Sequence, residues 1–420
     1  MSDKTEGLEM RMVHVRAFYP ADPVGIVPGG VDTFLRGILK FAPDDIRFSL
    51  VGMTTDVIAR PLSQWTRCTI GEREFDFFPV VAVKASGQRT RFPLSVRYTA
   101  ATARQLRALT RDFDVFEFHR VEPGLLFLRD PRPKNAFFHQ DMAVIHSHRA
   151  DILWRHLPGL YFWVERRVMA GLSSAWCVRQ EGVTAMRRRY PQQAEHIRFI
   201  PTWVDTDVFS PPAEDTRDAL RLELASEFLI DPAARWIVSV GRLDRQKDPG
   251  LLLGSFARLV AEGLDVFWLA VGDGVLRPGL ARQVQEAGLA SRVRFLGLRA
   301  PPYIADVLRA ADVFALSSAY EGMPMALLEA LGSGLPVATT DVGEVHRVVN
   351  PGVNGHIAET ADVQSFADCL AKTLLDSSHL RGEAAVQSIQ AFRPAQVLAP
   401  VYENYRLLSH AAADGSGVLG

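Results

Sequence analysis

The sequence predicts an α/β protein made of two βα-rich halves, each a parallel sheet with helices on its faces. Two observations carry that expectation. Short apolar runs of the buried-strand kind alternate with helix-forming segments along the 420 residues, at the spacing of βαβ units. A Pro-rich segment, Ser210-Pro211-Pro212, interrupts this alternation near the middle, and the pattern resumes beyond it. The composition, 48% hydrophobic and 23% charged, is that of a globular chain with enough apolar residues for more than one core.

In the first half, Met10–Tyr19 reads as a buried strand. The loop Pro20–Gly30 follows it, then a helix over Val31–Leu39. The pair Gly29-Gly30 ahead of that helix lets backbone N–H groups approach an anion closely, although most glycine pairs are plain turns. Further strands are expected at Arg47–Val51, Phe75–Val83 and Val115–His119, and helices at Leu94–Leu109 and Tyr161–Ala170. Another apolar strand ends Phe137-Phe138-His139, which puts His139 at a C-terminal strand end, where α/β proteins form ligand sites. His119 ends the preceding strand and is a second candidate. From Trp154 to Arg189 aromatics and arginines mix. This stretch reads either as core-packing helix with a solvated face or as a patch for an anionic membrane.

The second half opens on the strand Arg235–Val240 and the loop Gly241-Arg242-Leu243-Asp244-Arg245-Gln246-Lys247, with Asp248 as N-cap and Pro249 as first helical residue. Arg242 and Lys247 thus flank a strand-to-helix loop at a positive helix N-terminus, an arrangement suited to an anion. Lys247 stands alone among arginines, with no other lysine between Lys134 and Lys372, as if a compact point charge were wanted there. Strands follow at Val266–Val271 and Val293–Gly297, then the apolar run Asp312–Leu316. After it, Ser317–Gly334 carries two glutamates, Glu321 in a turn-rich loop and Glu329 inside a helix, with Pro324 expected in the first helical turn and Gly332 and Gly334 ending it. One carboxylate can then face one part of a ligand and the second another. Pro394–His410 is a last helix.

The Glu-Gly-x-Pro element Glu321–Pro324 with its second glutamate, Glu329, resembles the donor-site signature of the retaining nucleotide-sugar glycosyltransferases of family 4. Gly241-Arg242 and Lys247 are similar to that family's Gly-Arg-x-x-x-x-Lys clamp. The resemblance implies the GT-B fold: two Rossmann-like domains facing a central cleft, over 1–209 for the acceptor and 210–393 for the donor, with 394–420 a helix crossing back and a tail. It implies that Glu321 meets the transferred sugar, that Gly322, Met323 and Pro324 bind the donor and that Glu329 holds the ribose hydroxyls. Gly241, Arg242 and Lys247 hold the diphosphate, Gly29 and Gly30 approach the donor phosphates or the acceptor, and His139 faces the sugar. Transfer would retain configuration and need no metal, because Arg242 and Lys247 supply the positive charge. The implied partners are a nucleotide-diphosphate sugar as donor substrate, with no separate cofactor, and a saccharide or lipid-linked acceptor, as in cell-surface polysaccharide or glycolipid synthesis. A nucleotide-sugar epimerase of the same fold and a catalytically silent sugar-nucleotide-binding subunit stay open beside it.

The sequence departs from the family pattern at Thr202-Trp203, at Glu344 in place of a second glycine, and at Arg347. A carboxylate near donor phosphates is repulsive, so Glu344 is expected to point away. Asp205-Thr206-Asp207 spells a metal clamp of the other major glycosyltransferase fold, but it precedes the Pro-rich linker and follows no strand of a nucleotide-binding half. A net charge of −1 gives no case for nucleic-acid binding. Three scattered cysteines, Cys68, Cys177 and Cys369, fit a reducing compartment. The first residues lack the apolar core of a signal peptide, and no apolar run reaches the ~18 residues of a membrane span, so a cytoplasmic location is expected, with peripheral contact at the inner face of the membrane.

Overall fold

The computed structural model describes residues 11–24, 30–83, 93–139, 157–213 and 216–413. The chain divides into two units, Met1–Pro201 with Val397–Gly420, and Thr202–Gln396.

Among the described residues the first unit is built on an eight-stranded sheet: β1 Val13–Phe18, β2 Ile46–Thr54, β3 Thr66–Ile70, β4 Arg73–Ala82, β5 Val115–Phe118, β6 Lys134–Phe138, β7 Ser174–Cys177 and β8 Ile197–Phe199. Their order is β3-β4-β2-β1-β5-β6-β7-β8. The pairs are parallel except β3 with β4, so the expected parallel sheet carries one antiparallel edge strand. Strand β3 alternates polar and apolar residues because only one face is covered, whereas β5 is buried on both faces and reads as Val-Phe-Glu-Phe. Phe18, Phe116, Phe118 and Phe127 form the centre of this core, with Phe116 and Phe127 centroids 4.8 Å apart. Burying each such ring contributes on the order of 1.5–3 kcal/mol.

Among the described residues the second unit has six parallel strands: β9 Arg235–Val240, β10 Val266–Val271, β11 Val293–Gly297, β12 Val313–Leu316, β13 Val337–Thr339 and β14 Gly355–Ile357. The order β11-β10-β9-β12-β13-β14 reverses direction between β9 and β12. That is the switch point of an open α/β sheet, where the loops after two neighbouring strands part and leave a crevice. In the first unit the same reversal falls between β1 and β5.

Local chemistry accounts for the differences from expectation. The segment after the Pro-rich linker is a helix, Thr216–Phe228, tied down by Arg221, whose guanidinium reaches Asp312 at 2.9 Å while the same carboxylate accepts from the Trp236 amide at 2.8 Å. The expected helix over Leu94–Leu109 is broken at Gln105 into Leu94–Arg104 and Leu106–Leu109. Pro324 is the N-cap of the helix Met325–Gly332 rather than a residue of its first turn, with ψ at 119°. The last helix runs Pro394–Ala413, and from Val397 it belongs to the first unit. There Tyr402 donates to the Ile38 carbonyl at 2.9 Å, Ser174 to Asn404 at 2.9 Å, and Arg406 holds Asp45 at 2.6 Å. All three cysteines are free and buried. Among the described residues no helix is long and apolar enough to cross a membrane.

Candidate functional site

The loops after β9 and β12 flank the switch point of the second unit, and they are stitched together. Ser317 donates from Oγ to the carbonyls of Lys247 and Asp248, each at 3.0 Å, and the Ala319 amide donates to the Gln246 carbonyl at 2.8 Å. Lys247 Nζ meets Glu321 Oε1 at 2.6 Å. Ser318 donates to the same oxygen at 2.8 Å, and Gln246 Nε2 lies 3.3 Å from Glu321 Oε2. The Glu321 side chain is 8% exposed and that of Lys247 22%, so the pair is largely shielded from solvent.

Arg242 lies in the same loop but behaves differently. Its side chain is 72% exposed, 3.3 Å from Asp244 and 3.4 Å from Gln246, so it is free to swing toward a ligand at small cost. The helix N-terminus behind the loop is already occupied. Asp248 sits in left-handed backbone at φ 40°, and its carboxylate accepts from the Leu251 amide at 3.2 Å. Positive charge at this site comes from Lys247 and Arg242, while the Leu251 amide of the helix end is taken up by its N-cap.

Glu329 lies five residues into the helix Met325–Gly332 and is half-buried. Burial pushes its carboxyl up to about 7, against the pull of the Lys247 ammonium. Its carboxylate makes no hydrogen bond among the described residues. Gly322 gives its carbonyl to the Glu344 amide at 3.0 Å, and Met323 packs on the core. Gly343, at φ 58°, is needed for this close approach: a Cβ there would lie 2.1 Å from the Gly322 carbonyl oxygen. The Glu344 carboxylate turns to Arg347 at 2.6 Å, so two of the departures from the family pattern neutralise each other. Gly241 is held by a bond from its amide to the Val271 carbonyl, 3.0 Å. A cavity of about 30 Å³ lies at the switch point between Gly241, Lys247 and Ser317. A larger hollow of about 510 Å³, lined by Leu222, Leu229, Ile230 and Phe267 among others, holds none of these residues and is chiefly apolar.

In the first unit, His139 follows β6 and His119 follows β5 at the other switch point. Their rings stack, with centroids 5.2 Å apart, and His119 Nδ1 lies 2.9 Å from His139 Nε2. Gly30 opens the helix Gly30–Lys40. Gly29, His146, His148 and Trp154 lie outside the described residues. Thr202-Trp203 leads into a turn closed by the Asp205 carbonyl, which accepts from Phe209 at 2.8 Å, and Trp203 is buried. Sequence reading did not single out Gln246 and Ser318, both on Glu321, nor Glu117 and Tyr405 behind the histidines. Gln246 lies inside the cation-bearing loop and Ser318 three residues before Glu321, but nothing in their spacing marks them as contacts.

A model of the family described as Glycosyl transferases group 1 matches residues 234–376. Among curated relatives, a D-inositol 3-phosphate glycosyltransferase of Corynebacterium urealyticum is 31% identical over 201 residues, 46% of each chain. A UDP-Gal:alpha-D-GlcNAc-diphosphoundecaprenol alpha-1,3-galactosyltransferase of Escherichia coli is 29% identical over 52% of this chain and 55% of its own. The chain thus spans about half the length of the curated relatives it matches. Among solved structures, a sucrose-phosphate synthase from Thermosynechococcus elongatus superposes with TM-score 0.72 at 20% identity, over 95% of this chain and 100% of its own. Anabaena HepE in complex with UDP and glucose gives 0.67 at 18%, over 93% and 98%. WaaG, a glycosyltransferase involved in lipopolysaccharide biosynthesis, gives 0.61 at 18%, over 97% and 100%. At these identities the likeness establishes the fold, which is GT-B: two Rossmann-like units and a C-terminal helix, as the sequence predicts.

Proposed function

We infer that this chain, which belongs to the glycosyl transferases group 1 family, moves a sugar from a nucleotide-diphosphate sugar to an acceptor hydroxyl with retention of configuration. The observation that carries this reading is the Lys247–Glu321 contact of 2.6 Å at the switch point of the second unit. It joins a cation suited to a diphosphate and a carboxylate suited to a sugar in one loop pair, with the exposed Arg242 beside them. In the reaction the bond from the anomeric carbon to the diphosphate oxygen breaks. A bond from that carbon to the acceptor oxygen forms on the same face, and the acceptor proton passes to the leaving diphosphate. Lys247 and Arg242 stabilise the charge that develops on the diphosphate. Glu321 orients the sugar and Glu329 holds the ribose.

Incubation of the full chain with radiolabelled UDP-, GDP- and ADP-sugars and a mixed saccharide and polyprenyl-phosphate acceptor pool tests the reading. A new glycoside of retained configuration is expected from one donor, with UDP-sugars tried first because HepE binds UDP. An epimerised donor, or no product from any donor, overturns it in favour of an epimerase or of a silent binding subunit.

A lipid-linked acceptor at the inner face of a membrane is favoured by one surface. The helix Pro158–Met169 buries Val164, Val168 and Met169 but leaves Leu160 and Trp163 about half exposed, with Leu157 just before it, next to Arg166 and Arg167. The Arg167 guanidinium lies over the Trp163 ring at 5.4 Å. An apolar strip edged by arginines suits a peripheral membrane contact. Pelleting with vesicles containing anionic phospholipid, and loss of pelleting in Trp163→Ser with Leu160→Ser, is the expected result. Equal recovery of both proteins in the supernatant refutes the contact.

A further inference from the structure

Behind His139 runs a buried polar chain that the proposed reaction does not yet use. His139 Nε2 lies 2.9 Å from His119 Nδ1, and His119 Nε2 lies 2.6 Å from Glu117 Oε1. Glu117 Oε2 accepts from the Tyr405 hydroxyl, which the C-terminal helix brings in. Glu117 and Tyr405 have no exposed surface, and His119 is 4% exposed. The two rings are also fixed by packing. His119 stacks on Phe137 with centroids 5.0 Å apart and planes 8° apart, and Phe34 meets His139 edge-on at 4.9 Å.

This chain has a polarity. A carboxylate only accepts, so its end of the chain must receive a proton from each neighbour. A neutral imidazole carries one N–H, and with His119 neutral that N–H goes to Glu117 through Nε2. Its Nδ1 is then a lone pair and can only accept, which places the His139 proton on Nε2. The other nitrogen, His139 Nδ1, makes no hydrogen bond among the described residues. We propose that Glu117 and His119 are positioning residues that lock His139 in the Nε2–H tautomer, so that Nδ1 stands at the C-terminal edge of the sheet as a hydrogen-bond acceptor for a substrate hydroxyl. Burial pushes the His139 imidazole well below its ordinary value, which keeps the ring neutral in the same sense. The substrate part rests on the sugar-transfer reading; the tautomer part stands without it.

Two measurements separate these parts. In the full chain labelled with ¹⁵N-histidine, long-range ¹H–¹⁵N correlations at neutral pH report each tautomer, with signals assigned through His119→Phe and His139→Asn. Both rings are expected to be protonated on Nε2 and bare at Nδ1. A proton on His139 Nδ1, or a doubly protonated His119, overturns the proposal whatever the enzyme does. The second measurement is turnover of His119→Phe, which keeps the stack on Phe137 and removes the hydrogen bonds. Its kcat is expected to fall roughly tenfold, the equivalent of one lost hydrogen bond. The His139 signals should shift to a tautomer mixture, and affinity for the free nucleotide diphosphate should be unchanged. Wild-type kcat in His119→Phe refutes the positioning role. Should wild type transfer no sugar from any donor, the reaction assignment fails while the tautomer result still decides its own question.

Discussion

Lys247→Ala is expected to abolish most sugar transfer while leaving the fold intact. The substitution removes a cation from a loop, and none of the buried apolar side chains of the second unit's core changes. Loss of a charge-assisted contact to a phosphate costs about 1.5–3 kcal/mol in binding, or roughly 10- to 150-fold. The cost grows in the transition state, where the leaving diphosphate gains charge. A fall of about 10²-fold or more in kcat/KM is therefore expected, with the far-ultraviolet dichroism of the wild type. A second effect adds to it: Glu321 loses the ammonium 2.6 Å away and keeps only Ser318 and Gln246, so a nearly buried carboxylate is left without a cation. Lys247→Arg separates charge from shape, because a planar fork replaces a point charge in a space bounded by the Gly241 backbone. A Cβ built on Gly241 already lies 3.2 Å from Lys247 Cε, so partial recovery is expected. Arg242→Ala should cost less, since its side chain is 72% exposed and lies 3.3 Å from Asp244. Wild-type turnover in Lys247→Ala removes the clamp assignment and with it the main support for the proposed reaction.

How far the sequence exposes this site depends on the range over which each contact is specified. The loop Gly241–Lys247 and the two glutamates are legible because strand-then-helix patterning places them at strand ends, and the βαβ rhythm then gives the fold. That Lys247 and Glu321 touch is not legible, because 74 residues separate them and the strand order that makes β9 and β12 neighbours is set by the whole sheet. The same holds for Tyr405 and Glu117, 288 residues apart: neither residue type nor spacing signals that the last helix supplies the partner of a strand carboxylate. Strand β3 escapes notice for a different reason. Thr66–Ile70 is an edge, covered on one face, so its pattern is weak, while the doubly covered β5 stands out as an apolar run. Strand β8 has three residues, Ile197–Phe199, too few for any period to show.

Glu329→Gln and Glu321→Gln are expected to fail at different steps. Glu329 on its helix is assigned to the ribose, so its amide variant weakens two charge-assisted hydrogen bonds to the nucleotide; affinity for the free nucleotide diphosphate is expected to fall about 10- to 100-fold. Glu321, in the loop, is assigned to the sugar. Its amide variant is expected to bind the nucleotide diphosphate as wild type does and to lose about 10²-fold in turnover. The raised Glu329 carboxyl adds a test with a sign. In the folded chain it titrates at about 7 rather than at its ordinary 4.5. Only the ionised form accepts two ribose hydroxyls strongly, so binding must release a proton below that value. Affinity should therefore rise by roughly tenfold as pH goes from about 6 to about 8, and Glu329→Gln should lose that part of the rise. The phosphate groups of the nucleotide titrate identically in both proteins and cancel from the comparison. Stability runs the other way. Between the ordinary and the raised value the folded chain holds more protons than the unfolded one, so this group's contribution is greatest at low pH and is lost as pH rises toward 7. Glu329→Gln should flatten that decline in a series of melting curves. Calorimetry with free nucleotide diphosphate and rates with the intact donor read both halves of the split. If Glu329→Gln binds the nucleotide diphosphate with wild-type affinity and wild-type pH dependence, Glu329 does not hold the ribose, and its raised carboxyl reports burial alone.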